Sequence, residues 1–235
     1  MAEADKARIP ILLSTAKINP ARALYAKLGL LLTHEDQNKA YFERTPVSTK
    51  SVARVVETAR LILRPWTDAD VEEWVAMSAD PRVMEFFPAT LERADAERTA
   101  AVMRERMARD GFGWWALEVR GGAPFAGVIA LQDVPFEAHF TPAFEVGWRL
   151  PHAHWGRGYA TEGARAALDV AFGDLQHEEV VAMTAAVNLR SQMVMRRLGM
   201  THDAADDFDN PRLAPGHRLR RHVLYRAKRD RRPSS

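Results

Sequence analysis

The stretch Glu145-Val-Gly-Trp-Arg-Leu150, followed by Pro-His-Ala-His-Trp-Gly-Arg-Gly-Tyr-Ala-Thr-Glu162, constrains this chain more than any other. Val146, Trp148 and Leu150 alternate as in a strand with one buried face. Gly156 and Gly158 then break the chain. From Thr161 onward Ala164, Ala167, Leu168, Ala171 and Phe172 recur at helical spacing. A helix that opens directly after glycines presents unpaired backbone N–H groups and the positive end of its dipole, which suits an anion, usually a phosphate. The glycine spacing differs from the dinucleotide-binding fingerprint, and no Gly-Lys-Ser/Thr closes the turn as in a nucleotide-triphosphate loop. The alternative is an ordinary strand–turn–helix that binds nothing.

Composition narrows the class. The chain has 235 residues, 47% hydrophobic, with net charge +2 and no cysteine. That length supports one good-sized core, or one domain and an extra piece. No apolar run is long enough to span a bilayer, and no signal peptide is evident. Without cysteine there is no disulfide framework, thiolate nucleophile or thiolate metal site. Together these features point to the cytoplasm. The eight histidines have no metal-ligand spacing, so no metal is expected. Arginines crowd Arg218 to Arg232. They read as a solvated edge strand and a frayed tail more readily than as a nucleic-acid surface, because no aromatic residues interleave the final run.

Residues 1–52 form a separate segment. Ile9–Leu13 reads as a strand, Pro20–Lys27 as a helix capped by Asn19 and stopped by Gly29, and Gly29–Thr33 and Lys39–Glu43 as two further strands. Val47–Val56 is the expected linker. A full domain over 53–230 follows, with 231–235 as a tail. Its predicted order is strand Ala59–Arg64, a helix capped by Thr67 and Asp70, helix Thr90–Arg109, strand Trp114–Val119, a Gly121-Gly122 hairpin and strand Phe125–Leu131. The strand–glycine turn–helix comes next, then strand Val180–Ala186, helix Leu189–Leu198 and strand Arg221–Arg226.

Trp155-Gly-Arg-Gly-Tyr-Ala160 resembles the pyrophosphate loop of the GCN5-related N-acetyltransferases (GNAT), usually Q/R-x-x-G-x-G/A. Trp155 stands at the Q/R position, while Gly158 and Ala160 match. The Trp-Gly-Arg-Gly-Tyr-Ala-Thr-Glu form is similar to the RimJ/RimL-like branch. Asn188-Leu-Arg-Ser-Gln-Met-Val-Met-Arg-Arg-Leu-Gly199 matches a second family segment. Asn19–Gly29 parallels it with one residue fewer, so residues 1–52 resemble the end of another such domain without its cofactor loop. The resemblance covers about Glu57 to Lys228. It implies an α/β GNAT fold, with a central twisted mixed sheet flanked by helices and a partial GNAT-like strand–helix–strand–strand extension in front.

The resemblance also implies a chemistry: transfer of an acetyl group from acetyl-CoA to a primary amine, a protein N-terminus or a small molecule, through a tetrahedral intermediate. A non-catalytic acyl-CoA-binding module remains an alternative, and a second copy of the chain is a possible partner. Cofactor contacts are expected from Trp155, Gly156, Arg157, Gly158, Tyr159, Ala160 and Thr161. Trp148, Arg149 and Leu150 lie on the strand that splays from its neighbour to admit the pantetheine arm. Asn188 either touches the cofactor or only caps its helix. Ser191 is the candidate acid, since Met195 replaces the usual tyrosine one turn on. The alternative is a first-turn serine bonded to backbone. Glu145 is the candidate base, its pKa raised by apolar neighbours. The alternative is a structural partner for an arginine such as Arg64. His139 is a weaker base candidate. Phe86, Phe87, Phe136 and Phe140 are expected on loops flanking the amine site, and the aspartates of 206–209 are expected to attract a cationic amine.

Overall fold

The computed structural model describes residues 11–16, 31–35, 37, 39–44 and 54–229. By contacts the chain divides into two compact units, Met1–Ser51 and Val52–Ser235. In the first unit, strands β1 (Ile11–Ala16), β2 (Leu31–Glu35) and β3 (Lys39–Arg44) form an antiparallel sheet in the order β1-β3-β2. The strands start within two residues of the predicted positions. The helix expected over Pro20–Lys27 and the tail 231–235 lie outside the described residues. The expected linker ends early, because Val56 already belongs to strand β4 (Val56–Glu57) and sits opposite Leu63.

The second unit is built on one sheet. Its remaining strands are β5 (Leu61–Arg64), β6 (Trp114–Val119), β7 (Val128–Asp133), β8 (Phe144–Arg149), β9 (Glu179–Ala185), β10 (Thr201–His202), β11 (Phe208–Asp209) and β12 (Arg221–Lys228). They lie in the order β10-β12-β9-β8-β7-β6-β5-β4, with β11 also paired to β12. Every recorded pairing is antiparallel except β8 with β9. Phe125, expected in a strand, belongs instead to the irregular segment before β7. Gly127 ends that segment at φ 127° and brings it against the last turn of β8.

Helices cover both faces. Helices α1 (Asp68–Ala79) and α2 (Arg93–Asp110) bury Trp74, Val75, Met77, Ala96, Ala100 and Met103 against one face, with Ala116 and Val128. The cap of α1 is the predicted one: Asp70 accepts from the Thr67 N–H at 2.6 Å and from its hydroxyl at 2.9 Å. Asp70 also accepts from both Arg64 Nη atoms, and Glu118 accepts from Arg64 Nε. Two indoles here find carbonyls, as buried tryptophans must: Trp74 Nε1 donates to Ala96 O and Trp66 Nε1 to Trp114 O.

The other face carries α3 (Tyr159–Asp169), which begins two residues before the predicted Thr161 and runs into one π-helical segment, and α4 (Leu189–Arg197). Ala164, Ala167, Leu168 and Ala171 of this run pack with Ile129, Leu131, Val146 and Leu150. Gly163 is the contact point. A Cβ there would stand 2.9 Å from Ile129 Cγ1, so the helix rides as close to the sheet as a glycine permits.

Candidate active site

The parallel pair β8–β9 has one recorded register pair, Glu145↔Val181. Strand β8 continues to Arg149 and β9 to Ala185, yet no further pairing joins them. The two strands part after Glu145 and leave backbone donors and acceptors free along the gap. That is the splay expected from Trp148, Arg149 and Leu150.

The glycine turn stands at the mouth of the gap. A 3-10 turn, His152–His154, leads into Trp155, whose Nε1 donates to Leu150 O at 2.8 Å. Gly156 and Gly158 have φ of 73° and 81°, the left-handed region where only glycine is unstrained. A Cβ at Gly156 would meet nothing within 4 Å, so the turn is open there. The first helical bond runs from the Glu162 N–H to Gly158 O. Among the described residues the N–H groups of Gly156, Arg157 and Gly158 make no backbone hydrogen bond. Free N–H groups in such a turn suit an anion. Arg60 buttresses the turn from outside. Its Nη1 donates to Arg157 O, it pairs with Glu162, and its guanidinium lies 5.1 Å from the Tyr159 ring centre.

Side chains on β8 alternate between the two faces. Val146 and Leu150 face α3, while Arg149 lies against Trp74 of α1, on the opposite face that it shares with Glu145 and Gly147. The Glu145 carboxylate accepts from Gln132 Nε2 at 2.6 Å, and Gln132 Oε1 accepts from Trp114 Nε1 at 2.7 Å. Burial pushes the Glu145 pKa upward, more than the Gln132 bond and the charge of Arg212 pull it down. Arg64 is committed to Asp70 and Glu118. Arg64 is therefore not a partner of Glu145, and the arginine whose charge reaches that carboxylate is Arg212.

Asn188 caps α4. Its Oδ1 accepts from the Ser191 N–H and its Nδ2 donates to Thr184 Oγ1. The amide is engaged at both ends, which supports the capping role. The Ser191 hydroxyl, half-buried on the first turn, has no hydrogen-bond partner among the described residues. It does not bond to backbone, as a merely structural serine would. Met195 is enclosed in the core, 1% exposed, and offers no proton.

The loop aromatics separate into two groups. Phe87 stacks on Arg149, with 3.9 Å from guanidinium to ring centre. Phe86 packs with Ala185, Leu213 and Leu219 and lies under Arg190, which also covers Trp155. Phe136 and Phe140 instead join Phe208 and Val181 in a cluster beside the Glu145 end of the gap. Phe140 is 9% exposed, so it is core and not pocket wall. His139 approaches Asp206 at 3.6 Å and stacks edge-on to Phe140; no bond links it to Glu145.

The aspartates expected to attract a cationic amine are already paired. Asp206 pairs with Arg226, Asp207 with His202, and Asp209 with Arg220 and Arg221. The same bonds tie down much of the arginine-rich end, including Arg229 to Glu178. The insertion between β10 and β12 acts through other residues: Arg212 donates to Pro135 O near Glu145, and Arg218 donates to Glu85 O. Sequence reasoning missed Gln132, Arg212 and Arg190, since nothing local marks a residue that matters only through a partner far along the chain.

A family model described as an acetyltransferase (GNAT) domain matches residues 60–201, more than half of the chain. The chain belongs to the GNAT acetyltransferases. The turn, the splayed strands and the asparagine-capped α4 of this acyltransferase fall within or at the edge of the matched span. One similar curated protein is the FsC-acetyl coenzyme A-N(2)-transacetylase of Aspergillus fumigatus, 34% identical over 155 residues. The match spans 63% of this chain and just under two thirds, 65%, of that relative. An acetyltransferase structure from Agrobacterium tumefaciens is 25% identical with a TM-score of 0.58, covering 74% of this chain and 94% of its own. RimL, a ribosomal L7/L12 alpha-N-protein acetyltransferase solved with coenzyme A, has the same fold at 14% identity and a TM-score of 0.60, covering 75% and 99%. Among the described residues no helix is long and apolar enough to cross a membrane, and no group of three potential ligands gathers to hold a metal ion.

Proposed function

We propose that this acetyltransferase moves an acetyl group from acetyl-CoA onto a primary amine that approaches from the Glu145 face of β8. The opening of β8 from β9 after Glu145↔Val181, with the glycine cradle at its mouth, carries this reading. The free N–H groups of Gly156 to Gly158 would hold the pyrophosphate, and the unpaired edge of β8 from Val146 to Leu150 would pair with the pantetheine arm. Glu145 would take the proton of the attacking ammonium, directly or through a water. A carboxylate whose pKa is raised by burial is better matched to that task near neutral pH than an ordinary one. A β8 backbone N–H would stabilise the developing oxyanion, and the free hydroxyl of Ser191 would return a proton to the departing thiolate.

The acceptor in this reading is compact. The α1–α2 loop reaches across the gap on the acceptor face: Phe86 meets Leu213 and Leu219, Glu85 pairs with Arg190, and Arg218 donates to Glu85 O. With that bridge in place, the amine would approach between Phe87 and Phe136. The relative named as an N(2)-transacetylase supports a small-molecule amine. The fold neighbour RimL supports a protein N-terminus as the second reading, since an extended chain end is also narrow.

Thiol release from acetyl-CoA, measured against peptides with different N-termini, polyamines and aminoglycosides, tests the proposal. Release with one class, abolished by Glu145→Gln, is the expected result. Tight acetyl-CoA binding without release for any amine would replace it with a binding-module reading.

A further inference from the structure

Arg149 is an enclosed cation with no counter-charge among the described residues. Its Nε is shut off from solvent and has no hydrogen-bond partner, and among the described residues no carboxylate pairs with it. Burial alone lowers its pKa to about 10, with no nearby charge adding to the effect. The residue as a whole is only half-buried, so part of the guanidinium remains open. Trp74 and Phe87 hold its plane, with ring centres 4.8 and 3.9 Å from Cζ. Other arginines near the acceptor face are occupied: Arg190 by Glu85, Arg64 by Asp70 and Glu118, Arg212 and Arg218 by carbonyls. A desolvated guanidinium without an anion is costly to keep, and its planar fork matches a carboxylate.

The phosphates of acetyl-CoA are poorly placed to be that anion. The cradle opens α3, which packs on the Val146–Leu150 face of β8, whereas Arg149 projects to the face of α1. That second face holds Glu145 four residues away, with Gly147 between them. A Cβ at Gly147 would make only ordinary contact, 3.6 Å from Ala130 Cβ, and the glycine leaves that space free.

Taking the acetyl-transfer reading above as given, we propose that Arg149 binds a carboxylate on the acceptor, so that the acceptor carries its amine at Glu145 and its carboxylate at Arg149 across Gly147. Four strand residues span about 13 Å. An α-amino acid is too short to bridge that distance. An ω-amino acid of lysine length or a dipeptide has the reach.

The test compares 6-aminohexanoate with its neutral amide, 6-aminohexanamide, on the full chain and on Arg149→Met. In the wild type the carboxylate should be favoured by on the order of 100-fold in kcat/KM. Arg149→Met should erase that preference by bringing kcat/KM for the carboxylate down to that for the amide. Its melting temperature should be equal or higher, because an unpaired buried charge is gone. No preference in the wild type, or the same preference in the variant, would overturn the proposal. A raised KM for acetyl-CoA in the variant would also overturn it and assign Arg149 to the cofactor. If neither amine is acetylated, the thermal shift of the CoA-saturated protein decides. Stabilisation by 6-aminohexanoate alone, lost in Arg149→Met, upholds the carboxylate site even though the transfer reading fails on these amines. Equal or absent shifts reject it.

Discussion

Gly127 sets where the active strand ends, and Gly127→Ala tests that geometry directly. Its φ of 127° is a conformation that residues with a side chain rarely adopt. An added Cβ would lie 2.4 Å from Arg149 O and 2.7 Å from Leu150 Cα, both backbone atoms. Ordinary contact begins at 3.4 Å, so either the entry to β7 or the end of β8 must shift by 1.0 Å, the difference between 3.4 and 2.4 Å. Backbone strain of this kind costs about 1–3 kcal/mol. Forcing an atom into a packed contact costs a further ~1–3 kcal/mol. The sum is about 4 kcal/mol, or roughly a 10 °C fall in melting temperature for a domain of this size. Gly121→Ala is the control: its φ is 64°, nothing lies within 4 Å of the added Cβ, and it should cost only about 1–2 kcal/mol of left-handed strain. Urea unfolding of both variants, with the KM for acetyl-CoA alongside, reads the difference. The KM should rise only in Gly127→Ala, because the backbone edge of β8 at residues 149 and 150 moves. If the two variants lost the same stability and kept the same KM, the close approach would not position the strand.

Three further outcomes are expected. Glu145→Gln should lower kcat/KM by roughly 10²–10⁴ and remove the acidic limb of the pH–rate profile. It should also leave stability at neutral pH equal or higher: burial raises the folded pKa above the unfolded value, so ionising Glu145 above that window costs stability, and earlier unfolding of the variant at pH 7 would contradict this. Ser191→Ala should reduce kcat about tenfold or more without changing the KM for acetyl-CoA or the melting temperature, since the hydroxyl has no structural bond to lose; an unchanged kcat would remove it from the proton-donor role. Asp70→Asn should destabilise by roughly 3 kcal/mol at pH 7, because it strips a buried partner from Arg64. Burial raises the Asp70 pKa, but bonds from Arg64 and Thr67 more than offset it and leave it below the ordinary value. The pair therefore contributes fully above the unfolded carboxyl pKa and fades as pH falls through the lowered one. The gap between wild type and Asp70→Asn in a pH series of melts should close in acid.

The parts legible in the sequence were those written in neighbouring residues. A left-handed glycine turn before a helix is a local backbone requirement, so Gly156, Gly158 and the start of α3 could be read within two residues. The Thr67–Asp70 cap and the Asn188 cap join groups three residues apart, and both are present. The hydrophobic period located β6, β8, β9 and α4 for the same reason. Phe125 was misplaced because its run of apolar residues matches a buried strand, while Gly127 imposes a bend that only contact with β8 explains.

What the sequence alone determined is thus the fold, the glycine turn ahead of α3 and the choice of Glu145 as a candidate base. Which charges are free is decided by tertiary structure. The aspartates of the 206–209 loop looked available, and each is bonded to a histidine or arginine elsewhere along the chain. Arg149 looked like one strand residue among others, and it proved to be an enclosed cation held by Trp74 and Phe87 with no carboxylate partner among the described residues. Pairing between charges depends on distances set by sheet order and loop closure, and a pattern along one chain does not contain them.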